Sequence, residues 1–144
     1  MTDLTLVLLP GLDGSGVLFR PLVASLAPSL RPVVVSFPPD RPLGYDELLP
    51  IAERALPRGS RYLVLGESFS GPLALLLAAR RPAGLAGVVL CATFVKNPLP
   101  VRPPWLAHLV HPAPFRLFPA FTMTKTLLTG YSSPSLRALT AEAL

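Results

Sequence analysis

The sequence predicts an α/β domain with a parallel sheet of about four strands and helices on both faces. Three observations predict it. Short apolar runs recur through about residue 95, stretches with helical spacing separate them, and glycine-rich turns follow two of the runs. With 51% hydrophobic and 15% charged residues among 144, the chain is long and apolar enough to bury the core of one domain.

Continuous apolar runs predict the strands, because a strand buried on both faces lacks polar alternation. The first run, L-T-L-V-L-L, and the second, V-V-V-S-F, are both short, and the second is rich in β-branched residues. The four predicted strands cover residues 4–9, 33–37, 62–65 and 85–92.

Three stretches between these runs have helical character. Apolar residues at helical spacing predict one helix over 18–26 and another over 45–56. Pro50 interrupts the second unless that helix begins near Asp46, so that its first turn needs no donor there. The third, 72–81, is apolar nearly all round and should be buried, with two arginines and a proline at its end.

The last third of the chain has a different composition. Many of the nineteen prolines lie there, among strongly apolar residues. We therefore divide the chain into a core, residues 1–96, and a Pro-rich helical segment, residues 97–144, which would make a lid over an active site. Its short helices are expected at residues 104–110, 114–121, 123–130 and 134–144.

The serine turn, residues 66–71, reads G-E-S-F-S-G directly after a predicted strand and before the buried helix. In a nucleophile elbow the serine takes a strained backbone angle, and small residues two positions before and after it prevent collision. Ser68 is thus the candidate nucleophile, with Gly66 and Ser70 as the small residues and Gly71 allowing close helix packing. The alternative is a plain turn in which a serine caps a helix.

The glycine turn, residues 10–16, reads P-G-L-D-G-S-G after the first strand. Acyl transfer needs two backbone N–H groups aimed at the developing oxyanion, and we predict those of Leu12 and Phe69. A phosphate-binding loop is the alternative, but the turn lacks a Lys followed by Ser or Thr. Nor does it contain a third glycine at the G-x-G-x-x-G spacing, since Phe19 stands there.

Together the two turns resemble those of the α/β-hydrolase family, in particular its compact bacterial esterase-like members. The resemblance covers about residues 4–95, with Pro10 where many members carry histidine. It implies that the Pro-rich remainder begins the family's cap. In such a sheet the first and third strands are neighbours, so both turns should flank one switch-point crevice.

The resemblance also implies that part of the site lies outside this chain. The family orders its triad as Ser, then Asp or Glu, then His. After Ser68 the only carboxylate is Glu142, and both histidines, His108 and His111, precede it. We therefore expect a partial hydrolase fold, truncated after the start of the cap and inactive or weakly active by itself.

The resemblance implies a serine esterase that cleaves a carboxylic ester or thioester through an acyl-enzyme at Ser68, without metal or cofactor. An acyltransferase on the same fold and a non-catalytic interaction module or remnant stay open. A lipophilic acyl pocket or plain packing would each explain the aromatic residues Phe69, Trp105, Phe115 and Phe118.

Composition and charge argue against several other classes of binding partner. The net charge is +5, but basic residues are scattered singly apart from Arg80-Arg81, so we expect no nucleic-acid binding. The longest uncharged apolar run is too short to span a bilayer. A single cysteine, Cys91, and a start without a basic signal region favour a cytoplasmic protein. The oligomeric state is left open.

Overall fold

The computed structural model of the chain describes residues 4–95 and 134–143. The chain divides into two compact units, Met1–Val95 and Lys96–Leu144. The sequence places this division one residue later, where the proline content rises.

A four-stranded parallel sheet forms the centre of the first unit. Its strands are β1 (Leu4–Leu9), β2 (Leu30–Val34), β3 (Tyr62–Glu67) and β4 (Leu85–Cys91), in the order β2-β1-β3-β4. The predicted α/β class is confirmed, as is the adjacency of the first and third strands. Leu9 at the end of β1 pairs with Gly66 near the end of β3. The glycine turn and the serine turn therefore leave the sheet side by side.

Helices connect the strands. A 3₁₀ turn, Val17–Phe19, leads into α1 (Arg20–Ser25), while α2 (Tyr45–Arg54) and α3 (Gly71–Ala79) follow β2 and β3. In the second unit α4 spans Pro134–Ala143, where the sequence predicts its last helix. The other three helices predicted for that unit lie outside the described residues.

Alternate residues of β1 face the two sides of the sheet. Val7 and Leu9 belong to a core cluster that includes buried residues of α2 and α3. Leu6 and Leu8 belong to a second cluster with Phe19, and Val23 of α1 packs against it. Because side chains alternate along a strand, the two clusters occupy opposite faces, and the expected helices on both faces are present.

Two details differ from the sequence predictions. The second strand covers 30–34 rather than 33–37 and includes Pro32, which is tolerated because β2 is an edge strand. The extended run does continue beyond β2, since the N–H of Val35 donates to the carbonyl of Leu8. The second helix begins at Tyr45, close to Asp46 as expected, but Pro50 lies inside the helix beyond its first turn, so our explanation for tolerating this proline is wrong. Pro50 is exposed, and only the carbonyl of Asp46 loses its helical donor.

Within the described ranges, no helix has the length and apolar character needed to cross a membrane.

Candidate active site at the carboxyl ends of β1 and β3

Ser68 occupies an unusual backbone conformation. It follows β3 directly, opens a short 3₁₀ turn that leads into α3, and has a φ of 47°. A residue with a Cβ rarely adopts positive φ, and such strain costs about 1–3 kcal/mol. The surrounding structure therefore holds this serine in a conformation that it would otherwise rarely adopt.

Close contacts explain why two positions of the serine turn are glycine. A Cβ on Gly66 would lie 2.6 Å from the carbonyl oxygen of Ser70 and 2.8 Å from the Cβ of Ala74, so α3 could not approach. A Cβ on Gly71 would lie 2.6 Å from the Cβ of Thr93, just after β4. Gly71 thus admits the segment that follows β4.

Ser70, which departs from the glycine usual at its position, has a role of its own. Its side chain is fully buried, and its hydroxyl donates a hydrogen bond to the carbonyl of Pro10, 60 residues earlier. The bond joins the serine turn to the glycine turn. The elbow pattern predicts a small residue at position 70, but it does not predict this hydrogen bond.

The glycine turn lies against Ser68. A Cβ built on Gly11 would be 3.7 Å from the Cβ of Ser68. The N–H of Gly14 donates to the carbonyl of Gly11 at 3.1 Å, and Gly14 has a φ of 66°, which glycine adopts without strain. Leu12, between them, is 66% exposed, so its side chain is not held by packing. Its predicted contribution is likewise a backbone N–H.

Two carboxylates border the same turn. The Asp13 carboxylate accepts hydrogen bonds from the N–H and the hydroxyl of Ser15, at 3.2 and 2.6 Å. Burial raises the pKa of the half-buried Glu67 carboxyl, and the Asp13 charge raises that pKa further, whereas the donating N–H of Gly11 acts to lower it. Glu67 is therefore harder to ionise than a carboxyl in water.

Two further hydroxyl groups donate hydrogen bonds to backbone carbonyls of the serine turn. Tyr45 at the start of α2 donates to the carbonyl of Phe69 at 2.8 Å, and Thr93 donates to that of Ser68 at 2.5 Å. The Phe69 ring stacks on Tyr45 with centroids 4.9 Å apart, so its side chain serves packing. Sequence reasoning missed Tyr45 and Thr93, because neither belongs to a motif.

The remaining candidates belong to the second unit. Glu142 is an exposed residue of α4 in the second unit. His108, His111, Trp105, Phe115 and Phe118 fall outside the described residues.

The described residues thus bring a strained serine, two facing turns and three hydroxyls bonded to backbone carbonyls to the carboxyl ends of β1 and β3. This arrangement suits attack by a hydroxyl on a carbonyl carbon, and the oxyanion roles of the Leu12 and Phe69 N–H groups stay predictions. No protein-family model matches this sequence, and no curated protein matches it significantly.

Proposed function

We propose that this chain carries the nucleophile and the oxyanion turns of a serine hydrolase of the α/β-hydrolase family. The observation that carries the proposal is the positive φ of Ser68 between β3 and α3, with the glycine turn packed beside it. A strain of this kind persists only where surrounding contacts impose it, and it is concentrated at reactive sites.

The reaction we propose is acyl transfer from a carboxylic ester or thioester. The Ser68 oxygen attacks the carbonyl carbon, and the N–H groups of Leu12 and Phe69 stabilise the resulting oxyanion. The alkoxide or thiolate then leaves and takes up the proton that Ser68 loses, and water releases the acyl group as a carboxylic acid and restores the Ser68 hydroxyl. If another alcohol replaces water, the same site acts as an acyltransferase.

A base must accept the proton of Ser68, and the described residues include no histidine. In a serine protease, loss of the base lowers turnover about 10⁶-fold, although an oxyanion site alone retains about 10³–10⁴ over water. We therefore expect slow turnover by this chain and use covalent labelling, which needs a single event, to test the proposal.

The full chain is incubated at length with a fluorophosphonate probe, and modified peptides are identified by mass spectrometry. We expect modification of Ser68 that is absent from Ser68→Ala. Ser36→Ala, which removes an exposed serine outside both turns, should label like the wild type.

A folded wild-type chain that is not modified at Ser68 would contradict the proposal. That result would favour the non-catalytic interaction module, for which the exposed Val89 and Leu90 of β4 would supply an apolar surface.

A further inference from the structure

Both predicted oxyanion donors belong to peptide groups whose carbonyls are already bonded. The N–H of Leu12 shares a peptide plane with the carbonyl of Gly11, which accepts the N–H of Gly14. The N–H of Phe69 shares a plane with the carbonyl of Ser68, which accepts the N–H of Gly71 and the hydroxyl of Thr93. Since a trans peptide is planar, fixing its carbonyl fixes the direction of the N–H on the opposite side.

The two peptides differ in how they are fixed. Among the described residues, the Gly11 carbonyl accepts a backbone N–H, whereas a side chain from a distant segment contributes to the bonding of the Ser68 carbonyl. Thr93 reaches it because Gly71 leaves room, and Thr93 follows Ala92, a residue with a φ of 45°. A strained residue before Thr93 and a glycine opposite it both permit this single hydroxyl contact.

We infer that Thr93 is a positioning residue, whose hydroxyl fixes and polarises the Ser68–Phe69 peptide so that the Phe69 N–H is an effective oxyanion donor. A carbonyl that accepts a hydrogen bond makes the N–H of the same peptide a stronger donor. An oxyanion site accelerates a reaction only if its donors are oriented before charge develops. This role rests on the proposed acylation of Ser68 and adds to it a residue that touches no substrate.

The test compares Thr93→Val, which replaces the hydroxyl with a methyl group, with Thr93→Ser, which keeps the hydroxyl. We expect Thr93→Val to lower the rate constant of fluorophosphonate labelling at Ser68 about tenfold, equivalent to about 1.4 kcal/mol. Thr93→Ser should retain most of the wild-type rate. The control is Thr5→Val, which removes the hydroxyl of a buried threonine near the start of β1, away from both turns, and should leave the rate unchanged.

A second readout separates positioning from general stability. In Thr93→Val the carbon-13 resonance of the Ser68 carbonyl should move upfield and the nitrogen-15 resonance of Phe69 should shift, and Thr93→Ser should reverse both changes. If Thr93→Val does not fold, Thr93→Ala replaces it, because alanine places no added methyl group against the carbonyl.

The outcomes distinguish this inference from the proposed function. Wild-type rates in a folded variant that lacks the hydroxyl would overturn the role of Thr93 and leave the acylation proposal intact. A slower rate with unchanged Ser68 and Phe69 resonances would also overturn it. A wild-type chain that does not label at Ser68 would overturn both.

Discussion

At position 68 a serine has a φ of 47°, a conformation in which its Cβ crowds the following carbonyl. Glycine would adopt the same angle with less strain, yet glycine carries no hydroxyl. The residues around it are correspondingly specific, since Ser70 and Thr93 donate to the carbonyls of Pro10 and Ser68. A serine at this position therefore supplies a hydroxyl but makes the turn less stable than glycine would.

This conflict gives a prediction at the residue scale. Ser68→Gly should be more stable than Ser68→Ala by about 1 kcal/mol, because both lack the hydroxyl but only alanine keeps a Cβ at positive φ. For a domain of this size the thermal midpoint should differ by about 4 °C.

Thermal unfolding followed by circular dichroism checks the difference. Ala24→Gly, at an exposed position of α1, is the control and should be destabilising, because glycine weakens a helix. Equal midpoints for Ser68→Gly and Ser68→Ala would show that position 68 is unstrained.

The serine turn could be predicted from sequence because its residues lie within six consecutive positions. Tyr45 and Thr93 could not, because their bonds to the turn span 24 and 25 positions and depend on how the chain packs. A threonine after a predicted strand has no local signal that distinguishes a surface residue from one bonded to the serine turn.

At the scale of elements, the site depends on the close approach of α3 to β3. Gly66 lies where the two meet, and the buried Leu73, Ala74 and Leu77 hold the helix against the core. The helix is apolar nearly all round, as predicted, although its outward residue Leu76 is 41% exposed. Its position sets how tightly the chain bends at Ser68.

Gly66→Ala should therefore lower the free energy of unfolding by about 1–3 kcal/mol, the usual cost of overpacking. Part of the clash involves the Cβ of Ala74. The double variant Gly66→Ala with Ala74→Gly should thus be more stable than the sum of the two single effects predicts. Denaturant unfolding of the wild type, the two single variants and the double variant measures this coupling. Strictly additive effects would show that Ala74 does not contribute to the clash.

At the scale of the whole first unit, β1 and β3 are central and β2 and β4 are the edges in the described part of the chain. Val7, Leu8 and Leu9 of β1 are fully buried, whereas Val89 and Leu90 of β4 are 42% and 43% exposed. An edge strand has a row of backbone groups without a partner strand. The site lies between the two central strands, where the sheet is held most firmly.

Amide hydrogen exchange should reflect this order. We expect the slowest exchange in β1 and β3 and faster exchange in β4, at those N–H groups that point away from β3. Exchange is measured by NMR at two protein concentrations, so that self-association is detected. If β4 were protected from exchange as strongly as β1 at both concentrations, the prediction would be wrong, because the outer N–H groups of β4 would then have hydrogen-bond partners.

The sequence by itself determined the α/β class, the four strands, the neighbouring positions of β1 and β3, and Ser68 as the candidate nucleophile. The class, the strands and the serine follow from local periodicity or short spacing, which the backbone geometry of strands and turns enforces, whereas the adjacency of β1 and β3 follows from the sheet topology of the family that the two turns resemble. Only the tertiary structure decided that β2 begins at Leu30, because an edge position tolerates Pro32. It alone also decided the bonds of Ser70 and Thr93, because such contacts depend on which distant segments the packed core brings together.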